Sequence, residues 1–131
     1  MNEHGFIKAV HRHLSPEVYR WKIHDTYTGG VPDAFYCGPA GSLWVEYKYI
    51  KLPKRKTTMV TFGLSKLQQI WLTKVALYGQ TTLLVVGWAQ SAQVFYGPNI
   101  TTTSTQDKLV PNSYNFKELA ALITKHCLSG G

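Results

Sequence analysis

At 131 residues, with 44% hydrophobic and 13% aromatic content, the chain is long enough for one domain with a core of its own, needing neither disulfides nor a structural metal. Fourteen Lys and Arg against seven Asp and Glu give a net charge of +7, which favours a polyanionic partner and does not separate nucleic acid from an anionic membrane surface. Two cysteines, Cys37 and Cys127, make no disulfide framework and suit a reducing compartment, and no stretch is apolar enough to span a bilayer.

In chain order, Asn2 is placed to cap a first helix running to about Leu14, ahead of Ser15-Pro16. Phe6, Ile7, Val10 and Leu14 form its apolar stripe, and Glu3 falls on that stripe one turn earlier. An acid there either favours the helix dipole or points inward as a metal ligand; both readings stay open. His11 and His13 stand two apart, on different helix faces, so they form no metal pair and are expected at the surface, near phosphate. Glu17 to Asp25 alternates Val18, Arg20, Lys22 and His24 against Tyr19, Trp21 and Ile23, which predicts a strand with one basic and one apolar face. The basic face either follows a phosphate backbone or is an ordinary wet sheet face. Residues 26–30 read as a flexible approach to the next element.

The stretch from Gly30 to Lys48 predicts a β-hairpin. Aromatic and β-branched residues flank the turn formers Gly38-Pro39-Ala40-Gly41. With that turn, Cys37 faces Ser42, and counting back sets Asp33 opposite Glu46. Carboxylates at a cross-strand pair have Cβ atoms roughly 5 Å apart, where like charges repel. A fold keeps such a pair by protonating one acid or by placing a cation between them. Period-2 alternation puts Lys48 on the Glu46 face and turns Tyr47 away. Two acids and an ammonium then share one patch, the outline of a metal-dependent hydrolytic site. The plainer alternative is a turn acid beside a solvated strand face. Leu43, Trp44, Val45, Tyr47, Tyr49 and Ile50 argue against it, because they predict a strand covered on both faces, where Glu46 and Lys48 need partners.

Beyond the hairpin, Lys48, Lys51, Lys54, Arg55 and Lys56 place five cations within nine residues. Such runs are often solvated loops. This one leaves the acidic patch directly, which favours phosphate contact. Ser65-Lys66-Leu67-Gln68 has the form of a capping box, followed by Leu67, Ile70, Trp71, Val75 and Tyr78 at helical spacing and a Gly79 stop. Gln68 therefore serves the cap or, as an inward amide, the site; the sequence by itself favours the cap. Thr81 to Trp88 predicts a buried strand parallel to a neighbour, and Ala92 to Tyr96 a further short one. Pro98 to Pro111, with its threonine run, reads as a polar loop, and the Asn99-Ile100-Thr101 sequon within it carries no meaning without a secretory signal. Asn115 opens a last helix with Glu118 at the box position and a buried stripe of Phe116, Leu119, Ala120, Ile123 and Cys127. The order is α-β-β-β-α-β-β-α, an α/β domain spanning 1–131 with a mixed sheet of about five strands flanked by helices.

Pro32-Asp33, Glu46-Tyr47-Lys48 and their place between an N-terminal helix and a βαβ return resemble the PD-(D/E)XK nuclease superfamily. More narrowly, Gly30-Val31-Pro32-Asp33, the Glu46-x-Lys48 strand and Leu64-Ser65-x-x-Gln68-x-x-Trp71-Leu72 resemble the VRR-NUC and phage Holliday-junction-resolvase-like branch. The similarity runs from residue 3 to about 88. It implies a restriction-endonuclease-like core in which Asp33, Glu46 and the Tyr47 carbonyl, joined by Glu3, ligate Mg²⁺ or Mn²⁺. It implies further that Lys48 orients the attacking water, that Gln68 is a site residue, and that the protein works as a homodimer in a bacterial or phage-infected cytoplasm. Two acids with no His or Cys partner suit a hard ion. The expected function is a metal-dependent endonuclease acting on branched DNA, with Lys51, Lys54, Arg55 and Lys56 on the phosphates. Alternatives are a nuclease that cuts or nicks ordinary duplex and a non-catalytic nucleic-acid-binding module. A membrane-surface protein is disfavoured, for no basic helix carries an aromatic apolar face.

Overall fold

A computed structural model describes residues 1–24 and 29–130. The chain runs α1 (Glu3–Arg12), β1 (Tyr19–Lys22), β2 (Ala34–Gly38), β3 (Gly41–Tyr49), β4 (Met59–Thr61), α2 (Lys66–Leu77), β5 (Thr82–Trp88), β6 (Ser91–Tyr96), β7 (Thr103–Thr105), α3 (Gln106–Leu109), β8 (Tyr114–Asn115) and α4 (Phe116–Ser129). One mixed sheet has the order β1-β2-β3-β5-β6-β8, one strand more than expected, with β3 and β5 parallel and the other neighbours antiparallel.

The hairpin forms in the register the turn residues dictate, with Gly38 opposite Gly41 and Cys37 opposite Ser42. Alternation then divides β3 between two cores. Leu43, Val45 and Tyr47 join Ala34, Tyr36, Leu83 and Val85 on the face covered by α1 and α4. Glu46 and Lys48 lie on the other face, where Leu84, Val86 and Trp88 pack with Leu72 of α2. β5 is buried at every position, as a parallel strand covered on both faces should be. Asn2 caps α1 by accepting from Gly5 N at 2.8 Å, and α2 and α4 open with capping boxes at Ser65/Gln68 and Asn115/Glu118.

Three expectations are corrected. The strand expected over 17–25 is limited to β1, and its apolar residues do not face inward: Tyr19 and Trp21 stand 62% and 49% exposed, Lys22 is exposed as well, and Val18 just before the strand is buried. Arg20, read as part of a basic face that either follows phosphate or is simply wet, instead donates to the His11 and Ser15 carbonyls at 3.3 and 3.0 Å, at the end of α1. Asp25 and most of the expected flexible approach lie in 25–28, outside the described residues. Of the apolar residues at helical spacing on α2, Leu67, Ile70 and Tyr78 face solvent and Trp71 packs against the core, whereas Leu72 is the residue fully in it. The segment read as a polar loop over 98–111 contains β7 and α3, and β7 pairs antiparallel with β4 as a separate ribbon, Val60 opposite Ser104. Thr101–Thr105 is β-branched almost throughout, and such residues favour strands once a partner is supplied. Among the described residues no helix is long and apolar enough to cross a membrane.

Candidate active site

β2 ends at Ala34, one residue short of Asp33, and β3 continues past it through Glu46, Tyr47 and Lys48. Asp33 is thereby outside the β2–β3 ladder, while its carbonyl accepts from Ile23 N at 2.8 Å on the β1 side. Its Oδ2 accepts from the Tyr47 backbone N–H at 2.9 Å, the amide that the ended strand leaves without a β2 partner. Gly30 explains how this segment reaches the site. It has φ +81, and a Cβ there would stand 2.6 Å from the Leu67 carbonyl oxygen, so only glycine lets the chain lie against the start of α2.

Glu46 is 3% exposed. Its Oε2 accepts from Gln68 Nε2 at 3.0 Å and lies 3.5 Å from Lys48 Nζ, the only ion pair among the described residues. Its Oε1 is buried with no hydrogen-bond partner among the described residues. Burial, reinforced by the Asp33 charge and only partly opposed by Lys48, pushes the Glu46 carboxyl up to about 8. The repulsion expected of the opposed acids is therefore present. Gln68 closes the cap and also points inward: Oε1 accepts from Ser65 N at 2.9 Å, and Nε2 donates to Glu46.

Glu3 stands close enough for Asp33 and Lys48 to act on it, and burial raises its carboxyl above the ordinary range. Among the described residues, however, no three His, Cys, Asp or Glu side chains gather into a metal cage. Glu3 thus flanks the acid pair without closing a third ligand position. Lys51, Lys54, Arg55 and Lys56 are all exposed on the loop after β3, with no acidic partner among the described residues. His13 is exposed as expected; His11 is not, because its Nε2 meets the Tyr36 hydroxyl at 2.6 Å. That partner is 25 residues away, and helix periodicity carries no signal of it.

No family model matches the chain, and no curated protein matches it either. Among solved structures it matches Hjc, a Holliday junction resolvase from the archaeal hyperthermophile Archaeoglobus fulgidus, with a TM-score of 0.56 over 90% of this chain and 96% of that one. The fold is restriction-endonuclease-like. At 13% identity the likeness is one of fold, and the activity must be argued from the site.

Proposed function

We propose that the chain is a metal-dependent endonuclease that hydrolyses phosphodiester bonds in branched DNA. The observation that carries this reading is the unpartnered Glu46 Oε1, buried beside Asp33 and Lys48 on a resolvase-like fold. A sealed acceptor oxygen and a second carboxylate fit a hard divalent cation with oxygen ligands, Mg²⁺ or Mn²⁺. Asp33, Glu46 and the Tyr47 carbonyl would hold it, with Glu3 alongside. When bound, such an ion polarises the phosphate, acidifies water and offsets developing negative charge.

The chain's own residues do the rest. Gln68 and the Tyr47 amide fix the two carboxylates in place, since each donates to one of them. Lys48, with a side chain 19% exposed, presents its ammonium from the Glu46 face to solvent, where it can orient the attacking water and stabilise charge on the phosphate. The unpaired cations of the loop after β3 would bind the flanking backbone. The sequence blocks of the VRR-NUC and phage resolvase branch support a homodimer that makes paired nicks. The apolar side chains left exposed on α2 and β1, among them Ile70, Leu77 and Trp21, would be the surface a second copy covers.

Labelled four-way junction, matched linear duplex and single strand, incubated with Mg²⁺, test the reading against Glu46→Ala. Symmetric nicks near the junction centre, lost in the variant, are expected; Asp33→Ala and Lys48→Ala should behave alike while remaining folded. Equal cutting of every substrate would remove the branched-DNA assignment. Absence of cutting with Mg²⁺ and with Mn²⁺ would leave a binding module. Sedimentation of Ile70→Lys protein, expected to be monomeric, tests the dimer.

A further inference from the structure

A cleft of about 590 Å³ opens where β3 and β5 end, and the acid pair does not use it. Tyr49, Ile50, Leu52, Trp88 and Ala89 wall it, and the exposed ammonium chain of Lys51 lines it too. Its volume is in the range of small-ligand clefts, about 300–1,000 Å³. The aromatic wall is fixed before anything binds. The Tyr49 hydroxyl donates to the Ala89 carbonyl at 3.2 Å, and its ring lies 5.7 Å from that of Phe6. Trp88 is 6% exposed.

The chemistry of these walls selects the occupant. A largely apolar cleft with Tyr49 and Trp88 in its lining suits a planar heterocycle, and a lysine in the same lining suits an attached phosphate. Lys51 is three residues beyond Lys48, at most roughly 10 Å away at 3.3 Å per residue. A DNA strand covers that distance in two or three nucleotides, at 3.4 Å of helix axis each. A stacked, paired base cannot enter such a cleft, and unstacking is least costly for a base that is already unpaired.

We propose that this cleft receives one unstacked nucleobase from the branch point, two or three nucleotides from the phosphate that is cut, with Lys51 on the adjoining phosphate. This rests on the nuclease reading for the presence of DNA and adds to it a structural basis for preferring branched substrates. Tyr49 is then a specificity determinant.

The test places single 5-iodouracils at successive positions around the branch point of a four-way junction. The junction is bound to wild-type protein with Ca²⁺ in place of Mg²⁺, irradiated, and the adducts are mapped by mass spectrometry. Adducts on Tyr49 or Trp88 with the junction, and none with matched duplex, are expected. Tyr49→Phe, which keeps the ring, should bind the junction within twofold of wild type. Tyr49→Leu should lose about tenfold in junction affinity, the size of a lost base–aromatic stack, with duplex affinity unchanged. Ala89→Asn is the second variant: Asn tolerates the left-handed backbone at φ 48 and puts an amide at the cleft wall, so the same selective loss is expected. A junction bound normally with no adduct on either ring overturns the cleft and leaves the nuclease reading standing. Failure to bind the junction at all overturns both.

Discussion

The interior of the α1/α4 face holds a polar chain whose energetics can be worked through. His11 Nε2 lies 2.6 Å from the Tyr36 hydroxyl, which lies 2.7 Å from that of Tyr47, and both tyrosines are fully buried. Burial, helped by Arg20 and Lys22, holds His11 down to about 4, so at neutral pH the ring is neutral and one of its nitrogens is an acceptor. Burial also raises both phenols, so both keep their protons. The direction follows from satisfying both hydroxyls: Tyr47 has no other acceptor among the described residues and so donates to Tyr36, which donates to His11 in the tautomer with Nε2 unprotonated. Tyr36→Phe breaks both bonds and strands the buried Tyr47 O–H, whereas half-exposed His11 can turn to water. At about 1 kcal/mol net per bond, plus 1–3 for an unmade buried donor, the expected cost is about 2–4 kcal/mol. Tyr47→Phe removes a terminal donor, leaves Tyr36 bonded to His11 and should cost about 1 kcal/mol. In the Tyr36→Phe background the same substitution deletes a stranded hydroxyl and should stabilise. A double-mutant cycle by urea denaturation reads this as a change of sign. Equal destabilisation by Tyr47→Phe in both backgrounds would refute the chain and its direction.

Three further outcomes follow from the same geometry. His11 titrates below its ordinary 6.5 in the folded state, so its contribution to stability is complete above pH 6.5 and is lost as pH falls toward 4. Discounted for a ring that is partly open to solvent, the loss is about 1–2 kcal/mol, and His11→Gln should show a correspondingly smaller drop between pH 7 and pH 4.5 in urea titrations. Glu46, raised to about 8, costs stability above its ordinary 4.5 in metal-free buffer, so Glu46→Gln, which keeps an acceptor for Gln68, should gain about 1–2 kcal/mol while losing cleavage. Mg²⁺ or Mn²⁺ should raise the melting temperature of wild type and leave that of Glu46→Gln unchanged. Gly87→Ala would place a Cβ 2.8 Å from the Phe6 ring, which is 1% exposed among Tyr47, Tyr49 and Phe116, and should cost about 1–3 kcal/mol by thermal melting.

What the sequence disclosed was governed by range. The Gly38-Pro39-Ala40-Gly41 turn sets the hairpin register locally, and the register alone brings Asp33 toward Glu46. Caps at Asn2, Ser65 and Asn115 are likewise local, and all three form. Periodicity was less informative where it had to say which side is inside. In β1 and α2 the apolar residues recur at strand and helix spacing, yet Tyr19, Trp21, Leu67, Ile70 and Tyr78 face outward. A hydrophobic stripe reports amphipathicity and cannot tell a core from a surface awaiting a partner. The β4–β7 ribbon joins segments about forty residues apart, and the His11–Tyr36 bond joins residues of different elements. Neither leaves a trace in any window of the chain.

The site and the core are two aspects of one strand. Glu46 points into the α2 face and Tyr47 into the α1/α4 face, so β3 is gripped from both sides where a buried carboxylate raised to about 8 must be tolerated. Asp33 and Gln68 each serve structure as well as site: one satisfies the Tyr47 amide where the β2 ladder stops, the other closes the capping box of α2. Replacing either residue therefore disturbs a local hydrogen bond worth about 1 kcal/mol as well as the placement of Glu46. The structural roles explain the types found at these positions, an acceptor at the end of β2 and an amide at the third helical position. They do not explain why an acid should be sealed opposite Asp33 with one oxygen unpartnered. That excess is where the physical argument for function rests, since stability by itself would favour glutamine at position 46.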